Sequence, residues 1–252
     1  MNLEPPFYAW HDHIAVDLRP ARAVFTTRRG GFSKGPYESL NLGRLTGDRP
    51  QSVLRNRQAL QTRVGAQLAY IRQVHGARVR RLSAPPEPLS DDPDVQTVFP
   101  EADGHATALR GLAPMVLVAD CVPIVISGRV AVAVLHCGWR GLAGGVIGEG
   151  VRAVRELGDE GSLAAAIGPG AGPCCYEVGE EVHAAFAEHA PAVHVGRNLD
   201  LKSVAWEQLM RAGVNEIHDV QICTICAETS IFFSHRRDKG ITGRQAGLAW
   251  LS

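Results

Sequence analysis

Two histidines and a cysteine, His75, Cys121 and His136, stand at or just beyond the ends of apolar segments of the sequence. Continuous Val, Ile, Leu and Ala segments like those that lead to Cys121 and His136 are typical of buried strands. Fifteen positions separate Cys121 from His136, which corresponds to one strand out and one strand back. Both side chains can therefore reach the same cleft at the rim of a sheet.

These residue types predict either a metal site or a nucleophile–base pair. Imidazole and thiolate are the usual ligands of a borderline-soft ion such as Zn²⁺. Three protein ligands leave a fourth tetrahedral position open for water or substrate, which is typical of catalytic sites. A thiol beside an imidazole can instead be a cysteine nucleophile with its general base. The residues alone leave both alternatives open, with Asp120 beside Cys121 as a further catalytic candidate.

The elements that position these residues follow from hydrophobic periodicity and turn residues. The predicted helix Gln51–Val64 is preceded by Asp48, a good N-cap residue, and by Pro50 in its first turn. We interpret residues 1–252 as one compact α+β domain. The other expected strands are Ala21–Thr27, Ala69–Val74, Leu163–Ile167, Val220–Cys223 and the apolar end of the stretch Thr242–Leu251. The other expected helices are one opened by Gly144 and Gly145 that runs through Val151 to Leu157, and those at Glu180–Glu188 and Asp200–Arg211.

The composition excludes several classes of protein. Lys+Arg and Asp+Glu both number 26, so the 252-residue chain has no electrostatic signature of nucleic-acid or anionic-membrane binding. No apolar segment is long enough to span a membrane, and the first residues lack the features of an export signal. We therefore expect a soluble cytoplasmic protein. Residues 83–100, with five prolines and several acids, are expected to form a solvent-exposed loop.

Six cysteines are too few for a disulfide scaffold, and we expect them to be thiols or ligands. Cys223-x-x-Cys226 can be half of a structural zinc site or a redox pair. The sequence has no second CxxC, and the adjacent Cys174 and Cys175 have the wrong spacing to complete a site. We therefore expect Cys223 and Cys226 to be ordinary buried or loop thiols.

Several motifs occur in order along nearly the whole chain, and the most specific are Ala119-Asp120-Cys121-Val122-Pro123 and His136-Cys137-Gly138-Trp139-Arg140-Gly141. The others are Thr26-Thr27-Arg28 with Gly30-Gly31, Asn41-Leu42-Gly43, Asn56-Arg57, Gln73-Val74-His75-Gly76, Ile167-Gly168-Pro169, Cys174-Cys175-Tyr176-Glu177-Val178-Gly179, Phe232-Phe233-Ser234-His235-Arg236-Arg237-Asp238 and Thr242-Gly243-Arg244. Together they resemble the YfiH/YlmD family, long described as polyphenol oxidoreductase (laccase) and also as purine nucleoside phosphorylase. The sequence departs from the family at Cys137, where alanine is commoner, and at Gly170-Ala171-Gly172.

The resemblance implies a zinc site, with copper as the alternative ion, formed by His75, Cys121 and His136. It also implies phosphorolysis of adenosine, inosine, guanosine and methylthioadenosine, with adenosine deamination at the same site. The partners are then a nucleoside and phosphate. The implied fold is a four-layer α/β/β/α arrangement with mixed sheets, similar to the catalytic domain of a deamidating toxin.

Phosphorolysis needs a dianion held beneath an oxocarbenium-like ribose, so arginines are expected near the metal. Arg57 is the first choice because it lies in a matched motif, and Arg28 and Arg140 follow. The expected catalytic residues are thus Cys121, His136, Asp120 and Arg57.

Three alternatives remain from the sequence. Multicopper oxidation requires many histidines, commonly in HxH pairs, and only His11-x-His13 has that form. A single copper ion bound by two histidines and a cysteine would need a weak axial ligand, for which Met115 is the nearest methionine. The zinc-bound water or a cysteine nucleophile could hydrolyse amides, as in the editing of peptidoglycan precursors. A non-catalytic binding module is disfavoured because it has little use for an open metal position.

Overall fold

Short apolar segments separated by glycine- and proline-containing turns form the strands of the protein. The computed structural model describes residues 3–87, 99–189 and 191–252, so most of the expected loop at 83–100 lies outside the described residues. The strands are, in chain order, β1 (Tyr8–Trp10), β2 (His13–Leu18), β3 (Ala21–Phe25), β4 (Gln67–Ala69), β5 (Val79–Leu82), β6 (Gly104–Thr107), β7 (Leu112–Val118), β8 (Val122–Ser127), β9 (Val132–Cys137), β10 (Leu163–Ile167), β11 (His194–Val195), β12 (Asn198–Leu199), β13 (Val214–Asp219) and β14 (Gln245–Leu251).

The strands build two six-stranded sheets and one small pair, β11–β12. The first sheet has the order β1-β2-β3-β14-β7-β4, and the second has the order β13-β10-β8-β9-β6-β5. Most neighbours pair antiparallel, whereas β4–β7, β5–β6 and β10–β13 pair in parallel. Both sheets are therefore mixed, as the family resemblance implies.

Apolar side chains alternate between the two faces of each sheet, so each sheet can be buried on both sides. On β2, Ile14 and Val16 pack between the two sheets, while Ala15 faces the opposite side of the first sheet. On β9, Val134 packs between the sheets and Leu135 faces the outer side of the second sheet. These two outer faces are covered by helices.

The helices are α1 (Pro50–Val64), α2 (Trp139–Ala143), α3 (Val146–Glu156), α4 (Glu180–Ala184) and α5 (Leu201–Arg211). Leu60 and Val64 of α1 cover the first sheet, while Val154 of α3 and Leu209 of α5 cover the second. The layers are thus α/β/β/α, and the predicted fold class is confirmed.

Several predicted boundaries are wrong for identifiable reasons. Asp48 does not cap α1, because the N-cap residue is Arg49 and the Asp48 carboxylate accepts from Asn41 Nδ2 at 3.0 Å. The Asp200 carboxylate does cap α5 by accepting the Lys202 and Ser203 amides.

The helix predicted to open at Gly144 and Gly145 and to run through Val151 to Leu157 is α3, which begins at Val146, directly after Gly145 at φ +84°, and ends at Glu156. The helix predicted at Glu180–Glu188 ends at Ala184. The strand predicted at Ala69–Val74 ends at Ala69, and beyond it only Arg72 pairs, as an isolated parallel bridge with Glu101.

The strand predicted at Val220–Cys223 is also misplaced. The strand is β13, which ends at Asp219, whose side chain accepts the amide of Gln221 at 2.8 Å and starts a turn. This turn carries Cys223 and Cys226 next to Cys174 and Cys175, contrary to the expectation that Cys174 and Cys175 could not complete a site with them.

The helices of the described ranges are all too short or too polar to cross a membrane.

Candidate metal and catalytic site

The antiparallel pair β8–β9 explains why Cys121 and His136 are neighbours. Pro123 pairs with His136 and Val122 pairs with Cys137, so Cys121, just before β8, lies beside the end of β9. His136 has the same strand parity as Val134 and is therefore directed toward the space between the sheets. Cys137 instead points into the core under the helices and is fully buried.

His75 reaches the same place through a tight turn held by the buried carboxylate of Asp103. His75 has φ +60°, and the three consecutive amides of Val74, His75 and Gly76 all donate to Asp103, at 3.2, 2.9 and 2.7 Å. Asp103 Oδ1 also lies 2.8 Å from His136 Nδ1. Since a carboxylate accepts, Nδ1 carries the proton and Nε2 is left to face Cys121. One carboxylate thus orients both histidines.

The three side chains converge. One ligand atom from each of His75, Cys121 and His136 lies within 4.8 Å of the others, and the two imidazole centroids are 4.9 Å apart. Gly138 permits this approach, because a Cβ there would lie 3.1 Å from Cys121 Sγ and 3.3 Å from His75 Cδ2. Two imidazoles and a thiol arranged around one position form a donor set suited to Zn²⁺ or copper. The metal itself stays a prediction.

The electrostatics favour an ionised thiol. Burial raises the pKa of Cys121, but the charge and hydrogen bonds of His136 and His75 outweigh it and lower the pKa to about 6. Burial lowers the pKa of His136, but Cys121 and Asp103 outweigh it and raise the pKa to about 9. A thiolate is the form that both a metal ligand and a cysteine nucleophile require.

Two of the arginines expected to hold phosphate already have contacts within the protein. Arg28 is half-buried, and its guanidinium donates to the main-chain carbonyls of Glu38, Pro36 and Thr229. Arg140 is exposed in α2, next to the site, and its guanidinium carbon lies 4.2 Å from the ring centroid of Trp139. The phosphate-binding roles of both arginines stay predictions.

Arg57 is buried in α1, where it is only 3% exposed. Its Nε donates to the Leu42 carbonyl at 2.9 Å, and its guanidinium carbon lies 4.2 Å from the ring centroid of Tyr70. Its Nη1 has no hydrogen-bond partner among the described residues. Burial lowers its pKa to about 10, so the side chain stays charged at neutral pH. Its catalytic and phosphate-binding roles stay predictions.

Asp120 holds several loops together around Cys121. Its φ is +91°, and its carboxylate accepts from Thr224 Oγ1 at 2.7 Å, Ser234 Oγ at 3.1 Å and the Arg236 amide at 2.7 Å. These three donors show what fixes Asp120, while its predicted catalytic role is untested.

Sequence reasoning does not single out three residues of this site: Asp103, Arg244 and Tyr176. Burial lowers the pKa of Arg244, while negative charge on Cys121 and Asp120 raises it, which places this guanidinium near the thiol. Burial and the nearby Cys121 raise the pKa of Tyr176 to about 12. For Arg244 and Tyr176 the available signal is membership of the motifs quoted above. Asp103 has no comparable signal.

Residues 22–252 match the sequence model of a family described as multi-copper polyphenol oxidoreductase laccase. A purine nucleoside phosphorylase of Streptomyces coelicolor is 40% identical over 238 residues, which cover 90% of this chain and 94% of the relative. A purine nucleoside phosphorylase of Xylella fastidiosa is 39% identical over 251 residues, covering 92% of this chain and 93% of the relative.

Solved structures are similar over the same length. The crystal structure of YlmD from Geobacillus stearothermophilus matches with a TM-score of 0.88 and 34% identity, covering 97% of this chain and 98% of that chain. A structure of a Neisseria meningitidis protein matches with a TM-score of 0.81 and 34% identity, covering 96% and 99%. The similarity therefore includes both sheets and the candidate site between them.

Proposed function

The chain belongs to the family described as multi-copper polyphenol oxidoreductase laccase, the same YfiH/YlmD family that its motifs resemble, and from this we propose its function. We propose that the protein is a zinc-dependent purine nucleoside phosphorylase. The observation that carries the proposal is the convergence of His75, Cys121 and His136 on one position. It occurs in a chain whose relatives at 39% and 40% identity are named purine nucleoside phosphorylases.

His75, Cys121 and His136 would hold the metal. A bound Zn²⁺ supplies a Lewis acid and a bound water of lowered pKa. The chain supplies the orientation: Asp103 fixes the tautomer of His136 through Nδ1, and fixes the His75 turn through three amides. Because the Asp103 carboxylate is completely buried, water does not compete for these contacts.

Phosphate and nucleoside would bind beside these ligands. We propose Arg57, Arg140 and Arg28 as phosphate-binding residues, and Asp120 as a residue that acts beside Cys121. The unpaired, buried Nη1 of Arg57 supports an anion-binding role, since a charged donor without a partner is costly. The exposed guanidinium of Arg140 can reorient toward an incoming anion. The proposed substrates are adenosine, inosine, guanosine and methylthioadenosine, with adenosine deamination at the same site.

Copper-dependent oxidation of phenols is a second candidate, favoured by the description of the family. The clusters of potential metal ligands in the protein test this candidate directly. Within the described parts of the chain, the clusters of three or more potential ligands are the His75 group and a group of four cysteines, and neither provides the histidines of a multicopper centre. A single copper at His75, Cys121 and His136 would be the form that remains.

The experiment is a metal analysis of the purified protein followed by incubation with inosine and phosphate. We expect zinc at the site and formation of hypoxanthine and ribose 1-phosphate, detected by chromatography. Cys121→Ala should abolish turnover, whereas Cys137→Ala is the matched control, since Cys137 is a buried neighbour outside the site. Oxidation of phenols in place of phosphorolysis by copper-loaded protein would refute the proposal.

The cysteine-hydrolase alternative is tested on the same protein with an alkylating reagent. A metal-bound thiolate at Cys121 should be protected until a chelator removes the ion, and His75→Ala should abolish turnover. Prompt labelling of Cys121 in metal-replete protein, together with an active His75→Ala variant, would favour a cysteine nucleophile that hydrolyses amides.

A further inference from the structure

Two pairs of cysteines that lie far apart in sequence meet at one edge of the second sheet. Strands β10 and β13 are parallel neighbours, with Ile167 opposite Asp219, so the turns that follow them leave the sheet on the same side. Cys174 and Cys175 lie in the turn after β10, and Cys223 and Cys226 lie in the turn after β13. The two turns also share main-chain hydrogen bonds, from Gly170 to the Ile222 carbonyl and from Thr224 to the Gly170 carbonyl, at 3.2 and 3.0 Å.

The spacing of the sulfur atoms fits ligands around an ion. All four Sγ atoms lie within 4.8 Å of one another, and Cys174 Sγ lies 3.6 Å from Cys226 Sγ. Four thiolates at the usual Zn–S distance of about 2.3 Å in a tetrahedron are separated by about 3.8 Å. A disulfide would instead bring two sulfurs to about 2.05 Å. The cluster therefore has the dimensions of a tetrahedral site.

A main-chain donor and a glycine let the turn after β10 close on Cys223. The Gly172 amide donates to Cys223 Sγ at 3.3 Å. A Cβ at Gly172 would lie 3.1 Å from Cys223 Cβ and 3.5 Å from Cys174 Sγ, so glycine lets this turn close on the cluster.

We propose that Cys174, Cys175, Cys223 and Cys226 bind one Zn²⁺ ion in a structural site, separate from the site at His75, Cys121 and His136. Four protein thiolates fill the coordination sphere and leave no open position, which is typical of structural and not of catalytic zinc. The ion would join the turn after β10 to the turn after β13.

This junction bears on the candidate active site through two neighbours of the cysteines. Thr224, between Cys223 and Cys226, donates from Oγ1 to the Asp120 carboxylate at 2.7 Å. Tyr176 directly follows Cys175, and its ring centroid lies 5.4 Å from the guanidinium carbon of Arg236, whose amide donates to the Asp120 carboxylate at 2.7 Å. The four-cysteine site thus fixes two segments that contact the residues around Cys121, whatever reaction takes place there.

The test is the zinc content of the full chain, purified from cells supplied with zinc and measured by plasma mass spectrometry. We expect two zinc ions per chain in the unaltered protein and one in His75→Ala. The remaining ion in His75→Ala should protect the cluster thiols from a thiol reagent until a chelator is added. The double variant Cys174→Ser/Cys226→Ser should retain only the ion at the other site, while Cys137→Ala should retain both.

Cobalt provides a readout that needs no substitution within the four-cysteine cluster. Co²⁺ added to metal-free His75→Ala should give the intense absorption of tetrahedral cobalt with thiolate charge-transfer bands. If His75→Ala contains no zinc and all four cluster thiols react at once, the proposal is wrong. A Cys174–Cys226 disulfide found by peptide mass mapping of freshly purified protein would also overturn it. Since these readouts are stoichiometry and thiol reactivity, they are independent of whether the protein is a phosphorylase.

Discussion

Replacing Asp103 by asparagine tests whether one buried carboxylate organises the candidate metal site. Asp103 accepts four N–H groups: three successive amides of the His75 turn and Nδ1 of His136. In Asp103→Asn the remaining oxygen can serve His75 and His136. The new amide group then faces the donors of Val74 and Gly76, which lose their acceptor. A fully buried donor without a partner costs about 1–3 kcal/mol, and because these two contacts are only part-buried, the free energy of unfolding should fall by about 1–3 kcal/mol in total.

Metal affinity should fall as well, because the asparagine no longer fixes the histidines with a full negative charge. Loss of an outer hydrogen-bond partner of a metal-bound histidine typically weakens metal binding about 10- to 100-fold. The measurement is competition for zinc against a chromophoric chelator, with the folded fraction checked by circular dichroism.

Asp159 offers a matched control for this substitution. Its buried carboxylate accepts the amides of Val130, Ala131 and Gly161 at 2.7, 3.2 and 3.2 Å, remote in sequence from the candidate ligands. In Asp159→Asn the remaining oxygen can still accept the Val130 and Ala131 amides, and only the Gly161 amide loses its acceptor. Asp159→Asn should therefore lower the free energy of unfolding by about half as much as Asp103→Asn and leave zinc affinity unchanged. Unchanged zinc affinity in folded Asp103→Asn, or an equal loss of affinity in both variants, would refute the assigned role of Asp103.

Three further predictions follow from individual side chains. Gly138→Ala should weaken zinc binding at least about tenfold, because its methyl group would lie 3.1 Å from Cys121 Sγ. Gly148→Ala, whose Cβ would lie in open space, is the control and should not weaken it. Equal chelator-competition curves for the two variants would contradict this prediction. Arg57→Ala should strongly reduce phosphorolysis while sparing any deamination of adenosine, and equal loss of both rates would assign Arg57 to folding. His105 is completely buried, and burial lowers its pKa to about 3, below the usual 6.5 of an unfolded chain. Because the unfolded chain binds the proton first, the contribution of neutral His105 to stability is fully present above pH 6.5 and is lost as the pH falls below it. The His105 contribution should be about 2 kcal/mol between pH 7.5 and 5; His105→Leu should flatten urea-unfolding stability over that range, and an unchanged slope would refute it.

The sequence predicts the meeting of Cys121 and His136 but not that of the four cysteines, because only the first depends on local chain direction. Cys121 and His136 flank an out-and-back pair of strands, so their proximity follows from a spacing along the chain. Cys174 and Cys223 meet because β10 and β13 are parallel neighbours in the sheet. No local pattern encodes that adjacency, and a rule based on CxxC spacing therefore misses the cluster.

The burial of Arg57 was readable from the sequence in principle. The buried positions of α1 include Val53, Arg57, Leu60 and Val64, which recur at intervals of four, three and four residues. That spacing follows one face of a helix, so Arg57 belongs to the apolar face that packs on the first sheet. A charge on such a face needs partners: the Leu42 carbonyl accepts from Nε and the Tyr70 ring packs on the guanidinium, while Nη1 has no partner among the described residues. Its charge alone suggests exposure, but the periodicity outweighs it.

The backbone conformation of Asp120, next to Cys121, is held in place by contacts from several loops. The chain has only three residues, 119–121, between the end of β7 and the start of β8. Because these strands belong to different sheets, the short connection must bend sharply, and Asp120 adopts φ +91°. Such a conformation costs a non-glycine residue about 1–3 kcal/mol and persists only where surrounding contacts impose it. The contacts are donors from Thr224, Ser234 and Arg236. The position of the Cys121 thiol therefore depends on loops that the four-cysteine cluster and the C-terminal motif hold in place.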